Sequence, residues 1–228
     1  YDRAPRMIVL DMDPTADTLH GGQQLALFNA YEDEYCFMPF HVYEGQSGKL
    51  VASVLRSGKT PTAKEILGVL KRIVRRVRAT WPEVEIVFRA DSHHTKPEVM
   101  EWLEAHGIQF ITGLQPNRRL ATIFETDIRL AEKKYREQRQ VGHPVRAYAS
   151  RFYAAKSWSC ARRVVCRIQV SAQGTDVRYV VTSFRTAGAK YLYATVYCGR
   201  GRMELMIKDH KVALRSDRTS CHRKEANQ

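Results

Sequence analysis

The stretch MIVLDMD, residues 7–13, carries the pattern that decides the fold. It is a short apolar run that ends in acids, which predicts a buried β-strand. A run of the same kind, EIVFRAD at residues 85–91, also ends in an aspartate. If these two strands are neighbours in one sheet, Asp13 and Asp91 project from its edge toward one cleft.

The elements around these strands follow the pattern of an α/β protein. Working outward, the sequence predicts a hairpin of strands at 36–43 and 50–55, helices at 63–78 and 97–106, and a further strand at 108–112. Because the early strands form a hairpin and the later ones need helical crossovers, we expect a mixed sheet flanked by helices.

The chain changes character at residue 115. Strand-like runs follow at 145–152, 163–170 and 177–183, and a last helix is predicted at 190–212. We therefore expect a first core part at 1–114, a mostly β insertion at 115–187, and a C-terminal core part at 188–228. Tyr1 is not an initiator methionine and Gln228 ends a polar run, so we expect a fragment truncated at both ends.

The composition favours a polyanionic partner. The 228 residues include 37 Lys and Arg against 24 Asp and Glu, a net charge of +13, which favours nucleic acid first and an anionic membrane surface second. No apolar run approaches the ~20 residues that span a bilayer. The 5 cysteines are odd in number and widely spaced, which favours reduced thiols in a cytoplasmic protein.

The two strand-end aspartates are candidate metal ligands. Carboxylate oxygens suit hard cations such as Mg²⁺, and two-metal phosphoryl-transfer sites hold their ions ~3.5–4 Å apart. A third carboxylate from elsewhere in the chain is needed to complete such a site. Asp also favours the turns that end strands, so Asp13 and Asp91 alone do not establish one.

The last predicted helix offers the third acid within a polar stripe. At 100° per residue, five side chains share one face: Tyr197, Arg200, Glu204, Lys208 and Lys211. The opposite side, with Leu205 and Met206, is expected to pack against a sheet. Such a stripe suits a metal-binding carboxylate among cations that bind phosphate. The alternative is a solvated face on which Glu204 pairs with Arg200 and Lys208.

Taken together, these motifs resemble those of bacterial insertion-sequence transposases with a ribonuclease H-like catalytic domain and a DDE triad. The family signature has Asp-x-Thr after the first strand, Asp after a later strand, and a Tyr-x2-Arg-x3-Glu-x6-Lys helix. The matching stretches are Asp13-Pro14-Thr15, Arg89-Ala90-Asp91-Ser92 and the helix from Tyr197 to Lys211. The stretches His20-Gly-Gly-Gln-Gln, Leu27-Phe-Asn-Ala and Ser216-Asp-Arg-Thr-Ser are also similar, and the resemblance runs from about residue 7 to 228.

The resemblance implies a function and a set of site residues. Asp13, Asp91 and Glu204 would bind two Mg²⁺ ions, for which Mn²⁺ could substitute, and cut and rejoin DNA at the ends of the element. Side chains of the stripe would contact DNA: Tyr197, Arg200, Lys208 and Lys211. The implied partners are double-stranded transposon ends and target DNA, with a homodimer on paired ends in the cytoplasm, associated with the nucleoid.

Three questions stay open at this level. Asp11 is a rival first ligand, since it lies two residues from Asp13 on the same side of the strand. The alternative functions are a nuclease without transposition and an inactive, truncated remnant that binds DNA or modulates an intact transposase. His93 and His94, just after Asp91, are expected to be solvated loop residues.

Overall fold

The computed structural model describes residues 3–19, 21–138 and 143–228, so His20 of the family-like motif lies outside the described residues. The chain forms two compact units. The first unit comprises Tyr1–His93 with Arg200–Gln228, and the second comprises His94–Gly199. None of the described helices is both long and apolar enough to cross a bilayer. All five cysteines are free thiols.

Helices and strands alternate in the middle of the chain, between residues 63 and 114. The strands are β1 (Met7–Pro14), β2 (Asp17–Thr18), β3 (Leu27–Asn29), β4 (Glu34–Phe37), β5 (Phe40–Glu44), β6 (Leu50–Val54), β7 (Glu85–Ala90), β8 (Gln109–Leu114), β9 (Val145–Tyr153), β10 (Arg162–Ser171) and β11 (Gly174–Thr182). The helices are α1 (Ala63–Thr80), α2 (Pro97–Ala105), α3 (Arg118–Ile123), α4 (Glu125–Glu137), α5 (Ala189–Tyr191) and α6 (Gly201–Leu214).

The first unit is built on a mixed set of strands in the order β6-β5-β1-β7. β1 pairs with β7 in parallel and with β5 antiparallel, and β5 pairs antiparallel with β6. Residues 8–12 of β1 are all buried, as expected of a near-continuous apolar strand that is covered on both faces. The predicted α/β fold with a mixed sheet is therefore confirmed.

A buried ion pair joins β1 to β7. Asp11 and Arg89 are register partners on the two strands, and their side chains meet in a two-point contact. Arg89 Nε lies 2.6 Å from Asp11 Oδ1, and Nη2 lies 2.6 Å from Oδ2. The Asp11 side chain is fully buried and that of Arg89 is 8% exposed. Two charge-assisted hydrogen bonds of this kind fix the geometry of both strands.

The turn after β5 closes over this ion pair. Gly45 lies so near to it that an added Cβ would be 2.5 Å from Arg89 Nη2 and 2.6 Å from Asp11 Oδ2. Its neighbour Glu44 is buried, and its carboxylate accepts hydrogen bonds from the backbone N–H of Val9 at 3.1 Å and of Ser47 at 2.6 Å. A glycine is needed at position 45 because the ion pair occupies the space of a side chain.

The predicted strand 36–43 is in fact two strands in two sheets. β4 pairs with β2 and β3 in a small three-stranded sheet, while β5 joins β1 and β6. Met38 and Pro39 separate them: proline has no N–H for a ladder, and the Met38 N–H donates to Arg56 O at 3.0 Å. The prediction was right for the β5–β6 hairpin and wrong for its extent.

Helix α1 begins at a capping box, in which the side chains and backbone N–H groups of Thr62 and Glu65 satisfy each other. It extends two residues beyond the predicted 63–78. Its apolar face is buried: Ile66, Val69, Leu70, Ile73 and Val74. This face provides the tertiary packing that stabilises an amphipathic helix.

The second unit contains strands in the order β8-β11-β10-β9, all paired antiparallel. The predicted insertion holds these last three strands, but also α3 and α4, which strand patterns did not indicate. The Asn117 side chain starts α3 by accepting from Leu120 N at 3.0 Å. One core cluster of this unit comprises Ile111, Val165, Val180, Leu192 and Tyr193. The division at 114/115 and 187/188 stays a prediction.

The predicted regular helix 190–212 changes its helix type along the chain. After α5, Leu192–Tyr197 is π-helical and Cys198–Arg200 is a 3₁₀ turn, before α6 begins. Gly199 and Gly201 lower helix propensity at this junction. The assumption of 100° per residue from Tyr197 onward was therefore wrong.

Helix α6 packs through a face that shares only Met206 with the predicted one. Met203 is fully buried and Ile207 is 7% exposed, and both lie against Tyr43 of β5. Leu205, predicted to pack against a sheet, is 64% exposed. Half-buried Met206 joins the packed face, and its carbonyl accepts from Tyr43 Oη at 3.3 Å.

Breaking the β1–β7 ion pair is expected to destabilise the first unit strongly. Arg89→Met leaves the Asp11 carboxylate buried without its partner, which should lower the free energy of unfolding by about 3–5 kcal/mol. Chemical denaturation measures the loss. The double variant Asp11→Leu/Arg89→Met is the control, because it removes both charges of the pair and should recover part of the stability. A single variant as stable as the unmodified protein would contradict a structural role for the pair.

Candidate active site

Asp13 and Asp91 leave the parallel strands side by side. The last register pair of β1 and β7 is Met12 with Ala90, and the two aspartates are the next residues on each strand. Their side chains are partly exposed, 18% for Asp13 and 23% for Asp91. The predicted meeting of the two carboxylates at one edge of the sheet therefore has a direct structural cause, which is the parallel register.

Both aspartates line one open cleft of about 290 Å³ in the first unit. The lining residues are Asp13, Pro14, Asn29, Tyr31, Glu32, Met38, Thr60, Pro61, Asp91, His93 and Arg200. Carboxylates, a guanidinium and an imidazole thus share a single solvent-accessible space. That combination can bind cations at the acids and phosphate at the basic groups.

The acid of β1 is balanced by a cation from the start of the last helix. Arg200 Nη1 lies 3.0 Å from Asp13 Oδ2, and the Arg200 side chain is 14% exposed. Arg200 was expected to contact a DNA phosphate. In this structure its guanidinium is held beside the carboxylate instead, so its charge lies inside the cleft.

The acid after β7 is held by its own loop. The backbone N–H of His93 donates to Asp91 Oδ1 at 3.0 Å, and His93 Nδ1 lies 2.7 Å from Oδ2. An aspartate that accepts a hydrogen bond two residues further on forms a compact turn. The expectation of solvated histidines was incomplete for His93, which contacts Asp91, and wrong for His94, which is fully buried.

Glu204 lies in the first turn of α6 and is exposed. Within the part of the chain that the structure describes, it is not among the residues that line the cleft. Across residues 3–19, 21–138 and 143–228, no three His, Cys, Asp or Glu side chains lie close enough to hold a metal ion. The oxygen donors of Asp13 and Asp91 suit Mg²⁺, and Glu204 as the third ligand stays a prediction.

Asp11, the alternative candidate for the first metal ligand, instead forms the buried ion pair with Arg89. Its carboxylate is fully buried and occupied by Arg89, as described above. Asp13 faces the cleft and Asp11 does not line it, so Asp13 is the better candidate ligand of the two.

Lys211, a predicted DNA contact, points toward the protein. Its Nζ donates to Ala16 O at 2.6 Å and lies 3.0 Å from Asp17 Oδ1, whose side chain is 4% exposed. Burial raises the pKa of the Asp17 carboxyl, and the Lys211 ammonium opposes that rise. The structure thus shows a contact of Lys211 with β2, and its contact with DNA stays a prediction.

Lys208 and Tyr197, the other members of the predicted stripe, lie in different surroundings. Lys208 is exposed on α6, where it is available to a phosphate. Tyr197 lies in the second unit, with its ring 5.6 Å from that of Tyr193 in the core cluster. An ion pair from Glu204 to Arg200 or Lys208, the alternative interpretation of the stripe, does not occur among the described residues.

Sequence reasoning missed one whole wall of the cleft. Asn29, Tyr31 and Glu32 belong to the β3–β4 hairpin, and Tyr31 is 90% exposed. Glu32 adds a third carboxylate to the lining. The available signal was the stretch Leu27–Ala30, which was noted only as a family-like motif.

The comparison with known families shows the class of the protein, a transposase catalytic domain of the DDE type. The chain belongs to the family described as transposase DDE domain group 1, whose model matches residues 1–228. The predicted DDE transposase family is therefore confirmed, while the bacterial insertion-sequence origin stays a prediction. No curated protein sequence matches the chain.

One solved structure shows the same fold. It is the piggyBac transposase in a synaptic complex with hairpin DNA, with a TM-score of 0.50 and 12% sequence identity. The similarity covers 88% of this chain and 40% of that chain, so this chain spans less than half the length of that transposase. At this identity the likeness concerns the fold alone.

The Lys211–Asp17 contact is expected to stabilise the packing of α6. Lys211→Met leaves a buried carboxylate without its cation and should lower the free energy of unfolding by about 3 kcal/mol. Lys208→Met is the matched control on the exposed side of the same helix, with an expected change within about 0.5 kcal/mol. Equal unfolding midpoints for the two variants would contradict a stabilising role for the Lys211–Asp17 contact.

Proposed function

We propose that this domain cuts DNA at the ends of a bacterial insertion sequence and joins the cut end to target DNA by in-line phosphoryl transfer. The observation that carries the proposal is the parallel register that brings Asp13 and Asp91 into one cleft with Arg200. Membership of the transposase family supports it. The DNA in the complex of the similar piggyBac transposase supports double-stranded DNA as the partner.

The two aspartates would hold divalent cations. Their carboxylate oxygens match the preference of Mg²⁺, and Mn²⁺ could substitute. When bound, two such ions supply an activated attacking oxygen and a neutralised leaving oxygen. Asp13 and Asp91 would fix these positions, while Glu204 is proposed as the third ligand. The attacking oxygen forms its bond to phosphorus as the opposite P–O bond breaks, which leaves a DNA 3′-OH for the joining step.

Arg200 would bind a phosphate group of the DNA substrate. Its guanidinium contacts Asp13, and a cation bound to Asp13 would weaken that attraction and free Arg200 for a phosphate oxygen. A planar guanidinium binds phosphate through two parallel hydrogen bonds, which would orient the backbone beside the cut. Lys208, exposed on the same segment of chain, would bind a further phosphate.

The proposal also includes a homodimer that holds two paired DNA ends, located in the cytoplasm and associated with the nucleoid.

A DNA-binding remnant without activity is the second candidate. It is favoured by the position of Glu204, which is exposed and outside the lining of the cleft. Such a protein needs its basic surface and none of the three acids. The cleavage and binding assays described next distinguish the active enzyme from the inactive remnant.

Asp91→Asn is expected to abolish cleavage and leave DNA binding largely intact. The amide keeps the shape of the carboxylate but loses the charge that holds a cation, whereas affinity comes from Lys and Arg at phosphates. The measurement pairs a cleavage assay on end-sequence duplexes, in Mg²⁺ and in Mn²⁺, with a binding titration. Full cleavage by the variant would overturn the mechanism, and an unmodified protein that binds but never cuts would favour the remnant.

Two further variants identify the third carboxylate. Glu204→Gln should lower the cleavage rate by several orders of magnitude, while Glu32→Gln, which alters the glutamate that lines the cleft, should leave most of it. Each change removes one charge and keeps the side-chain length, so the pair is matched. Measured single-turnover cleavage rates in the reverse order would assign the third position to Glu32 of the hairpin.

A further inference from the structure

The exposed surface of helix α1 carries mainly positive charge. Five cations, here called the basic face of α1, are exposed along it: Lys64, Lys71, Arg72, Arg75 and Arg76. The only acid in the helix is Glu65, which is turned away to Thr62 and to Arg56. The basic face therefore has no carboxylate of its own helix to neutralise it.

The spacing of these cations opposes the stability of the helix. Lys71 with Arg75, and Arg72 with Arg76, are like charges four residues apart, an arrangement that destabilises a helix. The buried apolar face requires none of them, because it consists of other residues of α1. A cluster of like charges that opposes helix stability, and that the buried apolar face does not require, suits a ligand of opposite charge. The charge complementarity points to a polyanion.

The basic face begins beside the candidate active site. Thr60 and Pro61, which line the cleft, lie directly before the cap of α1. From Lys64 to Arg76 the helix rises by about 18 Å, at 1.5 Å per residue. Since base pairs are stacked about 3.4 Å apart, this length corresponds to about five base pairs of a duplex. The face starts within one turn of the cleft and continues away from it.

We propose that the basic face of α1 binds the phosphate backbone of double-stranded DNA that leaves the cleft. The contacts extend over about five base pairs from the scissile phosphate and do not depend on sequence. This inference rests on the proposed function, because it assigns the path of the same DNA. It adds a surface that lies outside the acids and outside the polar stripe around α6.

The test removes three charges from the face and the same number elsewhere. Arg72→Gln/Arg75→Gln/Arg76→Gln is compared with Lys133→Gln/Lys134→Gln/Arg136→Gln, three exposed cations on α4. Glutamine maintains helix propensity, and thermal unfolding verifies that both proteins are folded. DNA affinity is then measured at several salt concentrations. The α1 variant should lower the slope of log K against log[salt] by about two to three units, and the α4 variant should change it little.

A second arm varies the length of the duplex. On DNA that extends about ten base pairs past the cut, the α1 variant should bind more weakly than the unmodified protein, while on DNA that ends one base pair past it the two should be equal. An unchanged salt slope, or an equal loss in the α4 variant, would overturn the inference and leave cleavage at the aspartates standing. An unmodified protein without affinity for DNA would overturn the proposed function as well.

Discussion

The contact between Arg89 and Asp11 holds the first unit in the geometry that its site requires. Two 2.6 Å hydrogen bonds between charged and buried groups connect β1 to β7 at one register position. A slip of one residue would turn each strand's side chains to the other face. With the register held, the next residues beyond Met12 and Ala90 must be Asp13 and Asp91, on neighbouring strands at one edge. The ion pair thus determines the site without taking part in it.

Charges of opposite sign are matched at short range in the first unit, although the chain as a whole carries +13. Arg200 lies beside Asp13, and Lys211 lies beside Asp17. Both cations belong to the C-terminal segment and both acids to the N-terminal one, so these contacts tie the two ends of the unit together. The excess positive charge is carried by exposed side chains such as those of α1.

Much of this arrangement could be predicted from sequence, because it depends on local patterns. Short apolar runs ending in Asp13 and Asp91 predicted the strands and the cleft, and the caps around Thr62 predicted α1. What could not be predicted depends on tertiary contacts. The inward position of Lys211 depends on a carboxylate 194 residues earlier, at Asp17. The change of helix type near Gly199 alters every angle counted across it.

The contribution of the β3–β4 hairpin to the cleft could not be predicted from sequence for the same reason. The β3–β4 hairpin has no long apolar run, and its Glu32 approaches the site only through the small three-stranded sheet. The interpretation of α6 failed differently. Its packed face, at Met203 and Ile207, was assigned to the wrong side because the phase was counted from Tyr197 through an irregular segment.

Gly45 shows how the buried ion pair limits the evolution of a turn. A turn between two strands usually tolerates many amino acids, and Gln46 next to it is exposed. At position 45 even a methyl group would enter the space of two bonded charges, and neither can move aside without leaving the other buried alone. In a saturation library of this turn, position 45 should accept glycine only, whereas position 46 varies. The most restricted residue of the turn would then be one that touches neither DNA nor metal.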